Sequence, residues 1–202
     1  MLREFEAFAK TPTASNFLSA RAALLSQSPR PLTAEDLSHL EALLAAGDPA
    51  SVSKAIDDLP PIAVLSPAVH LVAAEAAEAA GDDADCQLER FLLITCLEAI
   101  LHTGSGTEQS PYVATCTMDE RHVCEMLGLV PRSQSLVNRR GKALDAIECE
   151  DGACIWFDVS GLVSLPAAGS RHKRKMSHGY VRYRNTVQCL VPRGKRVSQT
   201  QR

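Results

Sequence analysis

The sequence is short of rings. Nine of its 202 side chains are aromatic, 4% of the chain, while alanine is abundant. Sheets of a β-sandwich draw on aromatic and β-branched residues, so this balance favours close-packed helices. Long apolar runs are also missing. No stretch approaches the ~18 residues that a membrane-spanning helix needs. The opening Met1-Leu-Arg-Glu-Phe-Glu puts acids where a secretory leader carries bases and then an apolar run. Signatures of catalysis are missing too: there is no G-x-S-x-G, no H-E-x-x-H and no C-x-x-C. Acids, finally, are absent from residues 167–202.

What is present begins with 46% apolar residues, enough to bury a core and to exclude global disorder. Seven cysteines, an odd number at uneven spacing, point to reduced thiols and a cytoplasmic protein without a membrane anchor. The net charge of −3 is an average over two very different parts. Residues 1–166 carry a net −13 and residues 167–202 a net +10, which marks a boundary near Pro166.

The first hundred residues read as helices with their own punctuation. Thr13 or Ser15 caps a helix that Pro29 and Pro31 end. Thr33 and Asp36 have capping-box spacing ahead of a Leu37, Leu40, Leu43, Leu44 stripe, and Gly47 stops that helix. A short helix spans about 50–59. Pro67 opens an alanine-rich helix over 67–80, expected to be enclosed on several sides. The longest helix covers about 84–102, with Leu88, Phe91, Leu92, Thr95, Leu97 and Ile100 expected to pack. Ala46-Gly47-Asp48 recurs as Ala80-Gly81-Asp82, an offset of 34. That period, with Gly-Asp at the turn, resembles a tetratricopeptide repeat, although Val52 and Cys86 stand where that family places alanine. The resemblance implies a face that holds a protein or peptide.

Beyond Gly104 the pattern changes. A turn-rich loop leads to a strand at 112–117, a helix at 120–127, and strands at 131–137, 142–150 and 153–159. Asp151-Gly152 is a two-residue hairpin signal. The order β-α-β-β-β implies a small antiparallel sheet covered by one helix. The fold expected is therefore α+β: helical hairpins over 1–103, a small α+β cap over 104–165, and a basic tail over 166–202 without regular structure. The ordered motifs Gly104-x-Gly106-Thr107, Pro111-Tyr112, Leu127-Gly128-Leu129, Ser133-Gln134-Ser135-Leu136 and Trp156-Phe157-Asp158 resemble an uncharacterised bacterial family catalogued as domain of unknown function 4919. Ser105 departs from it, since that family commonly has Asp between the glycines. The resemblance implies a fold and no activity.

Candidate sites follow from the hairpin. A two-residue turn sets Cys149 opposite Cys154, Ile147 opposite Trp156 and Asp145 opposite Asp158. Facing cysteines suggest a redox pair or half of a metal site, with ordinary thiols favoured. Facing carboxylates suggest an acid/base pair or cation site, with Gln134 either lining the same region or, as preferred, tying the loop's backbone; equally, both acids could point to water or pair with arginines. The Gly104–Thr107 loop follows a helix and lacks a lysine, so a structural crossover is favoured over a phosphate site. The preferred reading is a non-catalytic interaction module with a protein or peptide partner, requiring no cofactor or metal. The alternatives are a small-ligand binder or enzyme using Gln134, Asp145, Trp156 and Asp158, and nucleic-acid association through residues 171–202.

Overall fold

A computed structural model describes residues 3–28 and 30–164 in full, and the backbone of 171–175. Six helices come first: α1 (Arg3–Lys10), α2 (Ala14–Gln27), α3 (Ala34–Ala45), α4 (Pro49–Asp57), α5 (Pro67–Ala80) and α6 (Asp83–His102), with a 3-10 turn at Pro61–Leu65. The remainder is β1 (Tyr112–Val113), α7 (Asp119–Met126), β2 (Pro131–Arg139), β3 (Lys142–Cys149), β4 (Cys154–Asp158) and β5 (Arg171–Lys175). The chain is α+β as expected, with its strands confined to the second half.

The caps explain why the helices begin where they do. Thr13 accepts from Asn16 N, and Thr33 and Asp36 form a reciprocal box. The two Gly-Asp turns match in detail. Gly47 and Gly81 take φ of +73° and +75°, and the amides of Asp48 and Asp82 reach back to Leu43 O and Ala77 O. The same two aspartates then cap α4 and α6 by accepting from Ser51 N and Asp85 N. Helix α1 goes beyond the sequence reading. It is amphipathic, with Arg3, Glu4, Glu6 and Lys10 on one side, and is held by Phe8, whose ring meets Phe17 edge-on at 5.6 Å.

One interior serves both halves. It runs from Phe8, Phe17 and Leu40 through Leu93 and Ile100 into Val123, Ile147 and Phe157. Burying each such side chain contributes about 1.5–3 kcal/mol. Polar ties cross the same boundary. Arg21 on α2 donates to Ala114 O at 2.8 Å and Ser160 O at 3.3 Å. Ser66, which precedes α5, gives that helix no side-chain cap of its own. The cap comes from the other half: Asp119 Oδ1 accepts from Ala68 N at 3.2 Å and from Ser66 Oγ at 2.7 Å. Asp119 is thus the first residue of α7 but turns its carboxylate away from that helix's own amides. Its second oxygen takes Cys116 N at 3.0 Å and the Thr115 hydroxyl.

The sheet order is β1-β4-β3-β2-β5. The β2, β3, β4 and β5 pairings are antiparallel, whereas β1 lies parallel to β4, so the expectation of a wholly antiparallel sheet is corrected. Between β1 and β4 the chain makes α7 and a hairpin, a crossover long enough for parallel pairing.

The hairpin register also differs from expectation. Cys149 N donates to Ala153 O at 2.8 Å, so the turn holds three residues, Glu150, Asp151 and Gly152, with Gly152 at φ +86°. A three-residue turn closed by a left-handed glycine shifts β4 by one place. Asp145 now pairs with Phe157, Ala146 with Trp156 and Glu148 with Cys154. A one-residue shift carries each side chain of the strand to the other face. The tail is corrected as well: Arg171–Lys175 is a strand paired with β2, while residues 166–170 and 176–202 lie outside the described residues.

Candidate functional site

Register decides which expected site residues meet. Gln134 and Asp145 do: Gln134 Nε2 donates to Asp145 Oδ2 at 2.7 Å. It also donates to Glu120 Oε2 at 3.2 Å, so the amide bridges two carboxyl groups from β3 and α7. Rather than lining a cleft or tying backbone, Gln134 joins side chains beneath α7. Asp158 is on the opposite face of the sheet, where it accepts from Lys142 Nζ at 2.8 Å and from Ser160 N at 3.0 Å. Trp156, half-buried, shares the Asp158 face, and its backbone N–H donates to Gly106 O at 2.9 Å. The four residues Gln134, Asp145, Trp156 and Asp158 therefore form no common site.

The buried acids differ in state. Glu120 has no exposed surface and Asp145 keeps 2%. Burial, the neighbouring Asp145 charge, a hydrogen bond to Asp145 and the charge of Asp119 push the Glu120 carboxyl well above the usual range. The two carboxyl groups thus favour the protonated form of Glu120 beside Asp145. At Asp158, burial works to raise the carboxyl, but bonds from Lys142 and Ser160 outweigh it and hold the group low.

Cys149 and Cys154 part company in the same way. Cys154 is exposed beside Glu148, while Cys149 is buried and meets Cys124 of α7. The Cys124 thiol donates to Cys149, which raises Cys124 and lowers Cys149. Burial also raises Cys96 and Cys116. Among the described residues no group of three or more His, Cys, Asp or Glu is arranged to hold a metal ion.

The Gly104-x-Gly106 loop is built for packing. A Cβ on Gly104 would stand 2.3 Å from Pro111 O, and one on Gly106, at φ +69°, would stand 2.6 Å from the Tyr112 ring. Those close approaches join Gly104 and Gly106 to the Pro111-Tyr112 motif that follows them. Ser105 N closes the loop on Ser110 O at 2.8 Å.

The second candidate is the outer face of α6, and here expectation fails informatively. Leu88 and Phe91, expected to pack, are 51% and 60% exposed. Cys86, Leu93, Cys96, Leu97 and Ile100 take the buried positions. Phe5, Phe8, Phe17 and Phe157 are buried or half-buried, which leaves Phe91 as the exposed phenylalanine. The helix pair that carries it is acidic in sequence. Residues 67–98 include Glu75, Glu78, Asp82, Asp83, Asp85, Glu89 and Glu98 against the single base Arg90, a net −6. Arg90 is engaged by Glu78 at 2.9 Å. Glu89 is drawn inward to His70, with Nδ1 2.6 Å from Glu89 Oε2 and Nε2 3.0 Å from Val64 O. One sequence signal for this face exists: α6 carries more apolar residues than one buried stripe can use.

No family model, curated protein or solved structure matches this chain.

Proposed function

We propose that this protein is a non-catalytic binding module and that the outer face of α6 holds a basic peptide segment bearing apolar side chains. Phe91 carries the reading. A phenylalanine 60% exposed, one turn from a 51% exposed Leu88, is a large apolar area left in water, and such patches mark binding surfaces. Leu92, half-buried, extends the patch inward. The net negative charge of α5 and α6 selects the partner's sign: a basic segment is steered in and an acidic one repelled. The likeness to tetratricopeptide hairpins fits such a use. The six described cysteines are free thiols, which accords with a reducing, cytoplasmic setting. Among the described residues no helix is long and apolar enough to cross a membrane.

The test is a titration of a fluorescent helical peptide with leucines on one face and lysines on the other, followed by anisotropy. Burying one Phe side chain is worth about 1.5–3 kcal/mol, so Phe91→Ala should weaken binding by roughly tenfold or more while the melting temperature holds. A glutamate-for-lysine version of the peptide should not bind. Equal affinity of wild type and Phe91→Ala for the basic peptide would reject the reading.

A further inference from the structure

At the opposite end of the charge scale lies the β2–β5 edge of the sheet. Strand β5 reads Arg171-His-Lys-Arg-Lys175 and pairs with β2 from Val137↔Arg171 to Ser133↔Lys175. Its register places that run alongside β2, whose two ends carry further bases. Arg132 stands near the start of the strand with 63% of its side chain exposed, and Arg139 near the end with 51%. The β2–β3 turn adds Arg140 and then Lys142, itself 61% exposed. Eight Lys and Arg thus sit on two adjacent strands and one hairpin tip. The acids that meet them are Glu108 at Arg139, Glu148 at Arg132 and Asp158 at Lys142. No acid occurs in the sequence after Asp158.

We infer that this edge is a nucleic-acid-binding surface that engages the phosphodiester backbone independently of base sequence. Protection of a sheet edge is the competing use of such residues, since charge on an outer strand discourages edge-to-edge pairing. Edge protection needs a lysine or two on the outer strand alone. Here the charge turns the corner onto the hairpin tip and reaches Arg132 at the far end of β2, off the outer strand. A surface charged only for solubility intersperses both signs. This one sets eight bases against the three acids that meet them, a net positive charge of the kind a backbone-tracking surface carries. An anionic membrane is the weaker fit, because surface-lying segments set aromatic or leucine anchors beside their bases. Among the described residues the exposed large apolar side chains are Leu18, Val64, Leu88, Phe91 and Val130, and of these only Val130 adjoins β2.

The experiment uses the full chain and fluorescein-labelled 24-base probes, single-stranded DNA, single-stranded RNA and duplex DNA, titrated across salt. Three variants are compared: Arg139→Gln/Arg140→Gln/Lys142→Gln at the tip, Lys173→Gln/Arg174→Gln/Lys175→Gln on β5, and Arg182→Gln/Arg184→Gln/Arg193→Gln beyond it. Removing a cation that neutralises one phosphate lowers the slope of log affinity against log salt by about 0.7–0.9, so the tip and β5 variants should each lose roughly two units of slope and about tenfold or more in affinity. The third variant should change less. A tip variant that melts normally and binds as wild type overturns the inference. So does binding abolished by the third variant alone, or anionic vesicles bound in preference to every probe. Should the tip variant melt early, Lys142→Gln alone is the replacement, with a slope reduced by about one phosphate's worth. Leu88→Asp/Phe91→Asp should leave nucleic-acid affinity intact, so this result is separable from the peptide reading of α6.

Discussion

The helical half and the sheet unit hide different things. Through His102 the buried polar side chains are Ser66, His70 and Thr95; from Gly104 to Ser164 they are Thr115, Asp119, Glu120, His122, Ser133, Ser135, Asp145 and Asp158. The shorter unit thus buries more than twice as many, four of them acids. The two surfaces are contrasted as well, with an exposed Phe91 on the acidic helix α6 and a band of bases along the β2–β5 edge. The lesson concerns cohesion. Helices with a common apolar stripe tolerate small shifts in how they pack. A sheet unit organised around a few buried carboxylates depends on each of them keeping its partners.

The harshest way to break the contrast is to remove the carboxylate that serves both parts. Asp119 Oδ1 caps α5 and takes the Ser66 hydroxyl, while Oδ2 takes Cys116 N and the Thr115 hydroxyl. Asp119→Ala strands these buried donors, which should cost about 3–5 kcal/mol. Denaturant unfolding followed by far-ultraviolet dichroism and by Trp156 fluorescence measures it. Both probes should shift together, because one interior spans the two halves. Loss of the fluorescence transition alone would show that the helices stand without the sheet unit.

Next in size is the raised carboxyl of Glu120 beside Asp145. The folded protein raises the Glu120 carboxyl well above its ordinary value near 4.5. Stability from this group is complete below that ordinary value and is lost as pH climbs through the folded one, since folding then holds a proton the unfolded chain has released. Glu120→Gln keeps an N–H for Asp145 and an oxygen for Gln134 with no proton to lose. The variant should be about 1–3 kcal/mol more stable than wild type at pH 8 and nearly level with it at pH 4. Urea midpoints at the two pH values give the comparison. A constant difference across pH would mean that Glu120 is ionised in the fold.

These two residues mark where the letters stop being legible. The helices can be read because each boundary is signalled within four residues: Thr33 and Asp36 cap one helix, and each Gly-Asp pair ends one and starts the next. The buried stripe of α6 is harder, because Leu88 and Phe91 obey the same spacing as the residues that truly pack. In the sheet unit the decisive facts are distant. Glu120 looks like any acid in a first helical turn until Asp145 and Gln134 arrive from other strands. Asp151-Gly152 suits a two-residue turn as well as the three-residue one formed, and that single place sends Trp156 and Asp158 away from Asp145. Composition misjudges Arg171–Lys175, since a strand at a sheet edge takes its order from the backbone of β2 and needs no apolar period.

The mildest test asks why the two units differ in backbone strain. Among its described residues the helical half places only glycine at positive φ, whereas the β2–β3 turn puts Arg140 at φ +54° beside Gly141 at +80°. Both central residues of such a turn must be left-handed, which suits Asn-Gly and disfavours a long side chain. Arg140→Asn should therefore stabilise the protein by about 0.5–1 kcal/mol, read as a small rise in melting temperature. The same variant removes a cation from the proposed nucleic-acid surface. A gain in stability together with a weaker, less salt-dependent interaction with single-stranded DNA would mean that the strained arginine is kept for its charge. A loss of stability would instead assign Arg140 a structural role, and the strain at the tip would then belong to the fold.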